Sequence, residues 1–299
     1  MSPSIDFFTS PSFASNDVEV DSPQSLSPSP SPSLPRDGRH VSVKCSARPG
    51  IVVAPGICDG ISARCALEAG FTCLYQSGAA TTASRLGQPD LAIATLNDFV
   101  GAAQMVTSLD PTVPVIADAD TGFGGPANIS RTVREYARSG VAALHIEDQV
   151  QTKRCGHLLG KQVVSRAEFL TRVRAAVLAR DSIPGGSDFI IIARTDSAQV
   201  LGMDEAITRL KMAADAFKTK ELLESTVAAL APKPVLVNVI SGGLTPSFTY
   251  QEAEQMGAKI IIFSLVSSGM DPKAFFEPLG LNDVIKFDAM SGGSTFAAI

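Results

Sequence analysis

Short apolar, β-branched runs alternate along this chain with longer segments in which apolar residues recur every three or four positions, from Ile51 almost to the end. That alternation predicts a parallel sheet with helices packed on its faces. Strands are predicted at 51–54, 72–75, 113–117, 142–146, 189–193, 235–240 and 259–263. Each is largely apolar, as a strand covered on both sides should be, so no clean in/out alternation is expected. Asp204-Glu205 opens one helical segment, and Gly70, Gly140 and Gly257 close others just before the next strand.

Seven such strands are one short of a (β/α)8 barrel. The gap follows Arg194: from Asp204 to Pro232 the pattern is helical throughout, broken only by the polar Phe217-Lys218-Thr219-Lys220. The expected fold is therefore α/β, a TIM-type (β/α)8 barrel, irregular or missing one strand after the fifth. It should occupy 46–299 as a single catalytic domain with a shortened C-terminal helical region. Residues 1–45 differ in kind, because Ser22 to Pro35 is nearly all Ser and Pro. Such a segment adds no apolar area to offset the entropy of ordering, so a disordered arm is expected.

Composition narrows the function. Of 299 residues 45% are hydrophobic and 18% charged, which is globular usage. With 25 Lys and Arg against 30 Asp and Glu, the net charge of −5 offers no polybasic surface for nucleic acid. No apolar run reaches the roughly 18–20 residues that cross a bilayer, so no membrane partner is expected. The start lacks a signal-peptide pattern, and Asp6, Asp17, Glu19 and Asp21 argue against a mitochondrial presequence. Five irregularly spaced cysteines, an odd number, suit reduced thiols and a cytoplasmic location.

The chemistry gathers at strand ends. In Ile116-Ala117-Asp118-Ala119-Asp120-Thr121-Gly122 an apolar strand ends in two acids one residue apart, followed by glycines. Functional groups collect at the carboxyl ends of parallel strands, and paired carboxylates repel unless a cation joins them. A Mg²⁺ site held mainly through water is one reading, and a helix N-cap with a solvated neighbour is the other. The next strand ends in His145-Ile146-Glu147-Asp148, again acidic, with His145 itself read as a core histidine. Lys153-Arg154-Cys155-Gly156-His157 follows. A thiol among basic groups can have a depressed pKa and serve as nucleophile or proton exchanger, although a basic surface loop has the same composition. Arg194 closes the fifth strand, suited to grip a substrate carboxylate or to pair with Asp196. Ser77-Gly78 offers a hydroxyl and close backbone N–H groups, or an ordinary turn. Together they describe a site for a small polycarboxylate.

With these motifs assembled, the chain resembles the isocitrate lyase and phosphoenolpyruvate mutase superfamily. The likeness runs through Pro55-Gly56-Ile57-Cys58-Asp59, Ser77-Gly78, Leu86-Gly87-Gln88-Pro89-Asp90, Asp118-Ala119-Asp120, His145 to Gln149, Lys153 to His157 and Arg194-Thr195-Asp196. The thiol loop is similar to that of the carbon-carbon lyase branch, which includes 2-methylisocitrate lyase, dimethylmalate lyase and oxaloacetate acetylhydrolase. The resemblance implies that Asp118 and Asp120, supported by Asp90 and Glu147, hold Mg²⁺ or Mn²⁺. It also implies that Ser77, Gly78, Arg194 and Asn238 bind substrate, and that Cys155, tuned by Lys153 and His157, protonates the departing carbanion. The implied activity is a metal-dependent lyase or hydrolase cleaving a C–C bond of a small 2-hydroxy or 2-oxo di- or tricarboxylate, in a homo-oligomer.

Three departures stand against that pattern. The family strand after the Arg194 position, which ends in a glutamate, is missing between Asp215 and Leu230; Ser241 replaces a second glutamate; and about 37 residues follow Ile262, short of the family's long helical pair. These departures leave two alternatives, a lyase-fold enzyme repurposed for an unusual substrate and a degenerate paralogue acting as a binding or regulatory protein.

Overall fold

The structure, a computed structural model, describes residues 5–9, 50–184, 188–213, 227–228, 230–231, 233–240, 248–265 and 272–291. Residues 10–49 of the expected arm, the segment around Phe217 and the Ser241 substitution lie outside them.

Eight strands close into a barrel: β1 (Ile5–Thr9), β2 (Val52–Ile57), β3 (Leu74–Gln76), β4 (Val115–Asp118), β5 (Ala143–Glu147), β6 (Ile190–Thr195), β7 (Val235–Asn238) and β8 (Ile260–Phe263), in the order β1-β6-β5-β4-β3-β2-β8-β7. All seven strands expected from the sequence are present, displaced at their ends by a few residues. The seven pair in parallel with their neighbours, save across the one position that β1 fills.

The eighth stave corrects the reading of the arm. Ile5–Thr9 is a strand, antiparallel to both β6 (Ile5 opposite Thr195, Thr9 opposite Ile191) and β7 (Ile5 opposite Val237, Phe7 opposite Val235). No described residue between β6 and β7 along the chain forms a parallel strand, so each would present an unpaired edge there. Ile5-Asp6-Phe7-Phe8-Thr9 is β-prone and lies upstream of the Ser/Pro tract, and its backbone satisfies both edges. The barrel is thus irregular, as expected, through a reversed stave rather than a gap.

The helices follow from amphipathic spacing and local caps. Helix α1 (Gly60–Glu68) starts at Asp59, whose carboxylate accepts the Ser62 N–H at 2.8 Å. Next come α2 (Gly78–Leu86) and α3 (Leu96–Leu109). In α4 (Pro126–Arg138), Pro126 sits at the first turn and Ile129, Val133, Tyr136 and Ala137 form the buried stripe. Helices α5 (Arg166–Asp181), α6 (Ser197–Leu201), α7 (Met203–Ala213) and α8 (Tyr250–Gln255) continue the outer layer. Among the described residues the C-terminal region holds α9 (Pro272–Phe276), one 3₁₀ turn and α10 (Leu281–Met290).

Two apolar layers hold the barrel. Outward strand residues such as Ala117, Leu144, Ile146, Ile191 and Val237 pack with Phe99, Val133, Tyr136 and Phe169 of the helices. Inward residues Ala54, Tyr75, Ile116, Ala143, Ile190, Ile192, Leu236, Ile260 and Ile262 fill the interior. Side chains alternate across a strand, so counting by two from each inward residue names what lines the mouth. Ile116 leads to Asp118, Ala143 to His145 and Glu147, Ile192 to Arg194, Leu236 to Asn238, and Ile262 to Ser264.

Candidate active site

The acids at the mouth are buried and bonded. Asp118 accepts the Gly78 N–H at 3.2 Å, the Tyr75 hydroxyl at 3.2 Å and the Asp120 N–H at 2.9 Å. Its backbone oxygen takes the Tyr136 hydroxyl at 2.6 Å, which ties α4 to the end of β4. Neither aspartate caps a helix; Gly125 stands at the cap of α4. Despite burial, His145, Lys153 and Arg194 hold the Asp118 carboxyl at about 2. Asp120 sits in the left-handed region at φ 45°, a conformation uncommon outside glycine. Burial pushes its carboxyl up to about 7 against the pull of Lys153, with Asp118 and Asp90 adding repulsion.

The cation among these acids is Lys153. Its ammonium lies 2.5 Å from Asp120 and 2.7 Å from Asp90, all three buried. Glu147 faces Arg194 at 3.1 Å, and among the described residues neither of its carboxylate oxygens has a hydrogen-bond partner. Burial drives its carboxyl well above the usual range.

The thiol loop folds down onto this cluster. The Cys155 N–H donates to the Asp90 carbonyl at 2.9 Å, and the side chain is buried. The expectation of a depressed thiol is corrected. Burial, then the Asp90 carboxylate, push Cys155 up to about 12. The basic neighbours are committed elsewhere: Lys153 to the aspartates, and Arg154 to the Leu159 carbonyl. Burial, Lys161 and Arg194 lower His157 to about 3, leaving its ring neutral. A protonated thiol in this setting is a proton donor, not a resting nucleophile.

Arg194 makes the ion pair that its sequence context offered, with Asp196 at 3.1 Å, as well as the one with Glu147. Asp196 also receives Gln149 at 3.2 Å and Lys161, and against its burial Lys161 and Arg194 hold it far below the ordinary range. Asn238 lies 3.4 Å from His157 Nε2 and accepts from Ser264 at 2.6 Å. The Ser77 hydroxyl caps α2 by accepting the Ala80 N–H at 3.2 Å. Gly78 permits the close approach of Asp118, since a Cβ there would stand 2.5 Å from its Oδ2. Asp118, Asp120, Asp90, Glu147, Lys153, Cys155, His157, Arg194 and Asn238 thus lie together at this mouth, whereas Ser77 and Gly78 spend their hydroxyl and N–H on the protein itself.

Sequence reasoning missed several members. Tyr75 donates to Asp118 and lies 2.8 Å from His145 Nε2, with the two rings stacked. Burial lowers His145 to about 4, so it is the buried neutral histidine expected, though placed in the site. Asp148 locks the end of β6, taking the Asp196 N–H at 2.8 Å, Arg209 at 2.8 Å and the Thr195 hydroxyl. Alternation along β3 and β5 would have pointed Tyr75 and His145 inward.

The family model described as phosphoenolpyruvate phosphomutase matches residues 44–268. The 2,3-dimethylmalate lyase of Eubacterium barkeri is 38% identical over 235 residues, 76% of this chain and 80% of that protein. A 2-methylisocitrate lyase of Aeropyrum pernix is 40% identical over 232 residues, 75% and 73% of the two chains. Among solved structures, oxaloacetate acetylhydrolase in complex with 3,3-difluorooxalacetate superposes with a TM-score of 0.73 at 44% identity, over 86% of this chain and 98% of that one. A crystal structure of 2,3-dimethylmalate lyase gives 0.73 at 42% identity, covering 88% and 98%.

Proposed function

Because this chain belongs to the phosphoenolpyruvate mutase and isocitrate lyase superfamily, we propose that it cleaves a C–C bond of a small 2-hydroxy or 2-oxo di- or tricarboxylate, as a lyase or hydrolase. The observation that carries this reading is the buried Cys155 side chain, its backbone N–H held to the Asp90 carbonyl at 2.9 Å beside the acids and Arg194, in a setting whose burial favours the thiol over the thiolate. Phosphoryl transfer has no use for such a proton donor, whereas a carbanion leaving a broken C–C bond must be protonated.

In this reading Arg194 donates to a substrate carboxylate, which displaces part of its bonding to Glu147 and Asp196. Cys155 delivers its Sγ proton to the carbanion carbon. The loop from Lys153 to His157 excludes water while it is down, so the proton comes from the thiol rather than from solvent. In the hydrolase version a water attacks the 2-oxo carbon before the bond breaks. Asn238 completes the substrate wall and His157 acts as a neutral hydrogen-bonding group, while Ser77 and Gly78 line the wall with their hydroxyl and N–H engaged by the α2 cap and Asp118.

Asp118, Asp120, Asp90 and Glu147 would hold Mg²⁺ or Mn²⁺. The donor set fits a hard dication: all four are carboxylates, and among the described residues both Glu147 oxygens lack a hydrogen-bond partner. Among the described residues no three His, Cys, Asp or Glu side chains are gathered to enclose an ion, and Lys153 bridges Asp120 and Asp90, so in this reading the ion takes most of its ligands from water. When bound, the ion supplies Lewis-acid stabilisation of the enolate charge.

We further read the enzyme as a homo-oligomer in a reducing, cytosol-type compartment. An apolar groove of about 810 Å³, whose lining includes Ile61, Phe71, Phe275 and Leu279, lies on the barrel flank, and Phe287 and Met290 of α10 are exposed. No described helix is long and apolar enough to cross a membrane. The test is incubation with Mg²⁺ and a panel of oxaloacetate, 2-methylisocitrate and 2,3-dimethylmalate, followed by NMR for pyruvate, oxalate and acetate. Failure of all three substrates would sink the reading.

A further inference from the structure

Lys161 lies beyond the thiol loop, and its ammonium is sealed from solvent. It donates to the Gly156 carbonyl at 2.6 Å and to Oδ1 of Asp196. The other carboxylate oxygen of Asp196, Oδ2, receives Nη2 of Arg194 at 3.1 Å and Nε2 of Gln149 at 3.2 Å. That same Gln149 nitrogen donates to the Arg154 carbonyl at 3.0 Å. The carbonyls of residues 154 and 156 flank Cys155 on either side. Both are thus tethered, through Gln149 and Lys161, to the carboxylate that grips Arg194.

From this arrangement we propose that Lys161 is a positioning residue. With Gln149 it clamps the backbone on both sides of Cys155 to Asp196, so that the thiol loop is held down only in register with the Arg194 guanidinium. The clamp has a firm anchor, because Asp148 fixes the Asp196 backbone N–H and is itself held by Arg209 and Thr195. Lys161 touches neither thiol nor guanidinium. It acts through the Gly156 carbonyl on one side and through Asp196 on the other. The proposal rests on the reading that Cys155 and Arg194 serve one substrate, but the geometry of the clamp exists without it.

The consequence is measurable on the thiol itself. Cys155 is 3% exposed, so an alkylating reagent reaches it only when the loop lifts, whereas Cys65 is exposed and reports general reactivity. The experiment is iodoacetamide labelling of the full chain, with each cysteine followed by mass spectrometry, in wild type, Lys161→Met and Gln149→Met. The second variant removes one tether without changing any charge, so it remains informative if loss of the buried ammonium prevents folding. The expected result is labelling of Cys155 accelerated about tenfold or more in each folded variant, with Cys65 unchanged, as loss of a tether favours local opening. In turnover assays Lys161→Met should lower kcat and raise KM together, and Lys161→Arg should recover part of both. Labelling of Cys155 at the wild-type rate in the folded variants would overturn the proposal, whatever happens to thermal stability. Absence of turnover by the wild type would count against the proposed function instead, leaving the labelling comparison valid.

Discussion

The Tyr75 hydroxyl lies 2.8 Å from His145 Nε2 and 3.2 Å from the Asp118 carboxylate, deep inside the barrel. Tyr75→Phe removes that hydroxyl and leaves two buried polar groups short of a partner. The expected cost is about 1–3 kcal/mol of unfolding free energy. Urea denaturation of the two proteins checks it, and equal midpoints would show that the network adds nothing.

Gly78→Ala should be harmful although its backbone is unstrained. The new methyl would collide with the Asp118 carboxylate at 2.5 Å, and the acid must swing away from Gly78 and Tyr75. Misplacement of a catalytic group by about an ångström costs roughly 10²-fold in rate. Steady-state kinetics beside circular dichroism would show a folded protein of low activity.

For Cys155→Ala, loss of a general acid lowers kcat by roughly 10²–10⁴-fold. Substrate binding through Arg194 persists, so KM should change far less. A variant with wild-type kcat would remove the thiol from the chemistry.

Glu205 supplies a pH signature at the outer end of the network in which Arg209 holds Asp148. It accepts from Arg166 at 2.9 and 3.1 Å and from Arg209 at 2.9 Å, and the Arg166 hydrogen bond above all lowers its carboxyl from 4.5 to about 2. A lowered carboxyl stabilises the fold fully above its unfolded value and loses that contribution as pH falls towards its folded one. Glu205→Gln should therefore be less stable than wild type at neutral pH, by about 1 kcal/mol or less for so accessible a pair. The gap should close between pH 4.5 and 2. A gap constant across that range, in thermal melts at several pH values, would contradict the assignment.

Removing residues 1–9 takes away β1 and bares the facing edges of β6 and β7. A chain of this size loses about 2–4 °C of melting temperature per kcal/mol, so a fall of roughly 5 °C or more is expected. Light scattering should reveal association through the exposed edges. An unchanged melt would mean that the barrel stands without its reversed stave.

Much of this was legible in the sequence because the parallel strands announce themselves. Runs such as those ending at Asp118 and Glu147 are buried on both faces, and their apolar character survives any choice of boundary. The site was legible for the same reason, since chemistry follows the strand ends. Three things were hidden. Pairing of Ile5–Thr9 is non-local, and a five-residue run with four β-prone members, upstream of a long Ser/Pro tract, carries no mark of the partners it will meet. The state of Cys155 is hidden because its basic neighbours in sequence are not free to act on it: Lys153 turns to Asp120 and Asp90, and burial, then the Asp90 carboxylate, raise the thiol. Lys161 carries no mark of its role in the sequence, and Gln149, although part of the motif at the end of β5, gives no sign of Asp196 as its partner until the fold buries both.

The reversed strand also bears on how the molecule comes to be made. Ile5 must find Thr195 and Val237, so the first stave to leave the ribosome is among the last that can dock, and it waits until β7 has been synthesised. Contacts so distant along the chain are slow to form. A nascent polypeptide halted before β7 would hold an open sheet, and completion of the barrel is an event of the finished chain.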